Sequence, residues 1–151
     1  WYNIFGLDRD SRIDDEGIRA SALRIKNIIE NVEESGIESN KIIIAGFSQG
    51  GVVAIETALT YPRRLAGLIS ISSYFPTHDS IKPSKENIRL PVLICHGKSD
   101  PVVLENMGKK TYLSLRDMGY EVKYNTYPTE HGVIPEELED IGEWVSQRFS
   151  D

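Results

Sequence analysis

Apolar positions along this chain alternate between helical spacing and short unbroken runs. From Asp15 to Ser35, Ile18, Ala22, Ile25, Ile28, Ile29 and Val32 recur every three or four residues with charges between them, which predicts an amphipathic helix. Asp14, Asp15 and Glu16 suit the positive end of that helix, and Gly36 suits its C-cap. Ile42 to Ala45 is a continuous apolar run of the kind shown by a fully buried parallel strand. Val52 to Leu59 reads as a helix stopped near Tyr61-Pro62. Two more apolar runs follow, Leu65 to Ser72 and Leu90 to Gly97, with a polar loop at 77–89 between them. Val103 to Met118 has helical spacing at Leu104, Met107, Tyr112 and Leu115, and Gly119 stops it. Glu121 to Tyr127 alternates and reads as a more exposed strand. Pro135 opens a last helix, with Glu136 and Glu137 in its first turn and Leu138, Ile141, Val145 and Phe149 on its inner face. Ahead of the first helix, Asp8, Asp10, Ser11 and Asp14 suggest turns.

Strands alternating with helices predict an α/β fold with a mostly parallel sheet. No repeat, low-complexity tract or boundary interrupts the pattern, so residues 1–151 read as a single domain. Composition narrows the function classes. A net charge of −6 argues against nonspecific nucleic-acid binding, which needs a basic surface. The one cysteine, Cys95, lies in an apolar run and reads as a buried thiol, with neither a disulfide nor a zinc framework possible. No run approaches the roughly 18 apolar residues of a membrane-spanning helix, and no signal peptide is visible. The expectation is a cytoplasmic protein without stable membrane insertion. The chain opens in mid-pattern at Trp1 rather than methionine, which reads as a trimmed start.

The chemistry gathers at Gly46-Phe47-Ser48-Gln49-Gly50, a G-x-S-x-G match between the Ile42–Ala45 run and the following helix. Strand, sharp turn and helix is the context in which this motif lifts a serine out at a strand's carboxyl end. Gly46 and Gly50 are expected to leave room where a Cβ would clash. The backbone N–H groups of Gln49 and Gly50 point to where negative charge develops on an attacked carbonyl. Alone, the motif also fits a serine in a glycine-rich turn.

A nucleophilic serine needs a base, and the base needs an acid to orient it. Of the 3 histidines, His78 falls in the polar loop and reads as a solvated surface residue. His96 ends a strand with no convincing acid between it and Ser48, and reads as a packed structural histidine. His131 follows the last strand, and Asp100 follows the strand before it. The order Ser48, Asp100, His131, each just past a strand's carboxyl end, is that of α/β-hydrolases. Asp100 also fits ordinary turn chemistry in Ser99-Asp100-Pro101. Glu130 is a weaker alternative acid, because chain neighbours rarely face each other.

With these residues in view, the chain resembles the carboxylesterase, acyl-protein thioesterase and lysophospholipase family of α/β-hydrolases. The resemblance rests on Gly46 to Gly51, on Cys95-His96-Gly97 with Asp100, and on His131. Trp1 to Ile4, Ser70 to Pro76 and Glu130 to Pro135 also match, the last looking like the bacterial carboxylesterase branch. It implies a three-layer α/β-hydrolase sandwich lacking its N-terminal strands. It further implies Ser48 as nucleophile, His131 as base, Asp100 as orienter and the Gln49 N–H as oxyanion donor. No metal or organic cofactor is implied. The substrate would be a small acyl ester or lipid-like molecule: a short carboxylester, a lysophospholipid or an S-acyl thioester. Tyr74, Phe75 and Trp1 are candidates to line the acyl site, with plain packing as the alternative for each. The His-Gly-rich loop that supplies a second oxyanion donor in the family has no counterpart here. Losing one such donor typically costs about 10²–10³ in rate, so this segment alone is expected to be weakly active. The competing expectation is a noncatalytic fragment that binds acyl ligands.

Overall fold

The computed structural model describes residues 1–4, 6 and 12–150. The turns expected at Asp8, Asp10 and Ser11 lie outside these residues. Four strands, β1 (Ile43–Phe47), β2 (Gly67–Ile71), β3 (Val92–Gly97) and β4 (Val122–Tyr127), form a sheet in the order β1-β2-β3-β4. Every pairing is parallel. The long helices are α1 (Asp15–Glu34), α2 (Gln49–Thr60), α3 (Glu105–Asp117) and α4 (Pro135–Phe149). Parallel neighbours need crossovers, and α2 and α3 supply them between β1 and β2 and between β3 and β4. Between β2 and β3 the chain crosses through the 72–91 loop, whose only regular piece is a 3₁₀ turn at Lys85–Asn87.

The two-residue period of the strands sorts the core into two layers. Ile44, Leu68, Val92, Ile94, Val122 and Tyr124 face α1, α2 and α3, meeting Ile29, Ile55, Leu59 and Leu115. Ile43, Ile69, Ile71, Leu93, Cys95 and Tyr127 face α4, meeting Ile141, Trp144 and Val145. Cys95 is buried in this second layer, and burial pushes its thiol up to about 12, which keeps it protonated and inert.

Several placements differ from the sequence expectation. β1 is not a fully buried strand: Ala45 is exposed and Phe47 is 41% exposed. β1 is an edge, paired only with β2 among the described residues, and α4 packs most closely on β3. In α4 the inner face holds Glu137 and Trp144, while Leu138 and Phe149 are turned out. The indole sets this rotation. It lies over Gly67, where a Cβ would come within 2.6 Å of it. α3 begins at Glu105 rather than Val103, because the Asp100 carboxylate takes the N–H groups of Val102 and Val103 and holds them in a turn. Ile28, expected on the inner stripe of α1, is exposed, and Ser21 is buried instead.

Glu137 is fully buried, and neither carboxyl oxygen makes a well-formed hydrogen bond. Burial pushes its carboxyl above the usual range, and the nearby Ile134 N–H offsets only part of that. A carboxyl raised in the folded state holds its proton there after the unfolded chain has lost it. Stability is therefore intact below the ordinary glutamate range and falls as pH rises above it. Glu137→Gln is expected to remove this decline and raise the neutral-pH melting temperature by about 2–4 °C. Thermal unfolding of both proteins across pH 4–8 checks it, and parallel pH curves would count against it.

Candidate active site

Parallel strands end on the same side of a sheet, and three polar side chains collect there. Ser48 follows β1 directly, Asp100 comes shortly after β3, and His131 comes shortly after β4.

Ser48 has φ 52 and ψ −121, a left-handed conformation that L residues rarely adopt. Four features hold it. Its N–H donates to the Ile71 carbonyl at 2.8 Å. Its own carbonyl accepts from the Gly51 N–H at 2.9 Å and from Ser73 Oγ at 2.7 Å. Gly46 lets the returning helix pass, since a Cβ there would lie 2.2 Å from the Gly50 carbonyl oxygen. Gly51, not Gly50, is the second position that requires glycine. A Cβ on Gly51 would meet Ser73 at 2.5 Å, whereas one on Gly50 meets nothing within 4 Å. The motif directs attention to its own last glycine, but the close approach falls one residue later, where the helix passes the strand-end loop. Gln49 is the first residue of α2, so its N–H is among the first-turn donors without an intrahelical acceptor.

The Ser48 hydroxyl lies 3.0 Å from His131 Nε2, and His131 Nδ1 lies 2.7 Å from Asp100 Oδ2. Nδ1–H donates to the carboxylate, which leaves Nε2 as the acceptor for the hydroxyl proton. Asp100 Oδ1 accepts from the Val102 and Val103 N–H groups at 2.8 and 2.9 Å. Burial pushes the Asp100 carboxyl up. The hydrogen bonds from His131, Val103 and Val102 outweigh that and hold it below the usual carboxylate range. The Phe47 ring packs against the imidazole with centroids 4.8 Å apart. Sequence reasoning missed Phe47 and Ser73; the only signal for either was adjacency to a strand end.

Gly97 brings the His131 loop close to the Asp100 turn. A Cβ on Gly97 would lie 2.2 Å from the Glu130 carbonyl oxygen and 2.6 Å from that of Thr129. The two segments are also joined by Ser99 N–H donating to the Thr129 carbonyl at 3.1 Å. Gly97→Ala is expected to cost about 1–3 kcal/mol in urea unfolding, as overpacking against backbone does. An unchanged unfolding midpoint would show that the loop yields freely.

The other expected residues separate. A cavity of about 370 Å³ opens beside Ser48, lined by Trp1, Ile25, Ala45, Phe47, Gln49 and Val53 among others. Trp1 thus lines the same cavity as the serine. Tyr74 is half-buried; its hydroxyl pairs with that of Tyr2 at 3.1 Å, and the Tyr2 carbonyl accepts from Gln49 Nε2 at 2.6 Å. Phe75 is 6% exposed and belongs to the core, the packing alternative left open for it. Its side chain joins the core cluster that holds Ile29 and Leu59, and in the same loop Thr77 Oγ1 donates to the Glu56 carboxylate of α2 at 2.7 Å. His78 is exposed beside Asp79, and His96 is fully buried. Glu130 contributes its carbonyl to the loop packing. Among the described residues, no group of His, Cys, Asp and Glu side chains has the arrangement of a metal site. No described helix is long and apolar enough to cross a membrane.

The family described as phospholipase/carboxylesterase matches residues 1–148. Acyl-protein thioesterase 1 of Gibberella zeae is 36% identical, with 99% of this chain and 68% of that protein covered. The acyl-protein thioesterase 1 of Neurospora crassa is also 36% identical, with 99% and 65% covered. The chain therefore spans about two thirds of the length of these curated relatives. Acyl-protein thioesterase 2 of Zea mays superposes with a TM-score of 0.86 at 27% identity, covering 99% of this chain and 72% of that one. The Bacillus cereus carboxylesterase shares the fold, with a TM-score of 0.79 at 19% identity over 95% of this chain and 66% of that one.

Proposed function

The chain belongs to the phospholipase/carboxylesterase family and has its α/β-hydrolase fold, and from this premise we propose that it is a serine hydrolase that cleaves acyl esters and thioesters through an acyl-Ser48 intermediate. Ser48 is the nucleophile, His131 the general base and then acid, and Asp100 the residue that fixes the histidine. The observation that carries this reading is the unbroken contact chain from Ser48 Oγ to His131 Nε2 at 3.0 Å and from Nδ1 to Asp100 at 2.7 Å.

In the first step Ser48 Oγ attacks the acyl carbon as Nε2 takes its proton. The new imidazolium faces a buried carboxylate, which stabilises it and holds its ring in place. Negative charge on the acyl oxygen is met by the Gln49 N–H at the positive end of α2. The proton then passes from Nε2 to the departing alkoxide or thiolate, leaving acyl-Ser48. Water deprotonated by the same nitrogen attacks the acyl carbon, the bond from that carbon to Oγ breaks, and Nε2 returns the proton to Oγ as the carboxylic acid leaves. The cavity bounded by Trp1 and Phe47 would hold the acyl chain, and Tyr74, held by Tyr2 against the Gln49 segment, would shape its approach. The same reading makes its partner a small acyl or lipid-like molecule.

The test uses an oxygen ester and a thioester of the same acid. Both should release acid and leave an identical acyl mass on the Ser48 peptide when the reaction is quenched with acid. Hydrolysis of both substrates with no adduct at Ser48 would reject the covalent mechanism. Failure of both substrates to react would leave the acyl-binding alternative standing, and hydrolysis of only one would limit the activity to that class of ester.

A further inference from the structure

His96 is the penultimate residue of β3, with its imidazole fully buried on the α3 side of the sheet. Gly108 makes the room for it, since a Cβ on Gly108 would lie 2.3 Å from His96 Nδ1. Nε2 is 2.8 Å from the Val103 carbonyl oxygen and 3.7 Å from Asp100 Oδ2, whereas Nδ1 has no partner. These neighbours fix the tautomer. A proton on Nε2 faces a carbonyl and a carboxylate, while a proton on Nδ1 would be a buried donor with no acceptor. Simple filling does not account for this side chain. An apolar residue of the same volume would occupy the slot without orphaning a nitrogen, as Val92, Leu93 and Ile94 do along the same strand.

Val103 is held through both of its flanking peptide units. Its N–H donates to Asp100 Oδ1, and its carbonyl accepts from His96 Nε2. We propose that His96 is a positioning residue for Asp100: by holding the Val103 carbonyl it locks the 100–103 turn, and its N–H faces the carboxylate oxygen that holds His131. This rests on the reading of Asp100 and His131 given above. The carboxylate must keep its aim while His131 gains and loses a proton. With Oδ1 tied to the turn, the aim of Oδ2 is only as fixed as the turn itself. Without the His96 N–H, the Val103 carbonyl loses its buried donor and the turn is free to relax.

His96→Leu removes the N–H and keeps most of the volume, whereas His96→Gln can place an amide N–H near the former Nε2. The Leu variant is expected to label with a fluorophosphonate at Ser48 about 10²-fold more slowly, the scale of a small misplacement at a reacting centre. The effect should fall on kcat rather than KM, with partial recovery in the Gln variant. The downfield proton resonance of the His131–Asp100 hydrogen bond should broaden or shift in Leu and return in Gln. A folded Leu variant with the parent's labelling rate and resonance overturns the proposal. If His96→Leu does not fold, Gly108→Ala crowds the imidazole without deleting it and carries the same two expectations; parent-like labelling and resonance there also overturn it. If the parent protein itself is not labelled at Ser48, the hydrolase reading fails. The resonance then still reports whether His96 holds Asp100 against His131.

Discussion

Ser48→Ala is expected to lower ester and thioester hydrolysis by at least about 10⁴-fold while leaving acyl-ligand binding intact. The size follows from the mechanism. The covalent path disappears, and His131 loses the hydroxyl it serves, so only binding and the oxyanion contact remain to assist water. The fold should survive, because what holds the turn is backbone: the Ser48 N–H to Ile71 and the Ser48 carbonyl to Gly51 and Ser73. Residual hydrolysis within tenfold of the parent, with unchanged unfolding, would remove Ser48 from the nucleophile role. Loss of binding together with activity would point to a general collapse of the site.

Asp100→Asn carries the second largest expected effect, a fall of about 10⁴ in kcat. An amide cannot accept the Nδ1 proton and stabilise the imidazolium as a carboxylate does. It offers an N–H instead, which favours the tautomer with the proton on Nε2, where Ser48 needs an acceptor. The same variant has a signature in stability. The Asp100 carboxyl is held below the usual range in the folded protein despite its burial. Its contribution is therefore present above the ordinary aspartate range and is lost as pH falls through the lower folded value. Asp100→Asn should flatten the acid limb of the stability curve. An unaltered acid limb would mean that the His131, Val102 and Val103 contacts do not stabilise the charged carboxylate.

Much of this arrangement was legible in the sequence because it depends on order along the chain. Strand runs, helix spacings and the placement of Ser48, Asp100 and His131 after strand ends need no knowledge of packing angles. What was illegible depends on rotation and on what lies opposite. Leu138 and Phe149 fit the inner face of α4 by spacing, but the Trp144 indole over Gly67 turned the helix and carried Glu137 inward. The Ile42–Ala45 run has the composition of a central strand, and among the described residues it pairs only with β2, which leaves Ala45 and Phe47 open. Phe75 and Tyr74 are chain neighbours with opposite fates, because the backbone after the left-handed Ser72 turns one ring into the core and leaves the other beside Tyr2. The steric need at Gly51 depends on Ser73, which reaches the turn from a different loop.

The central claim is that Ser48 is a nucleophile activated by His131 and Asp100. Its most direct test is reaction with a fluorophosphonate, followed by peptide mapping by mass, in the parent protein and in His131→Ala. The account predicts a single phosphonyl adduct on Ser48 in the parent and little or none in the variant over the same time. An adduct on another residue, or equal labelling of Ser48 with and without His131, would contradict it.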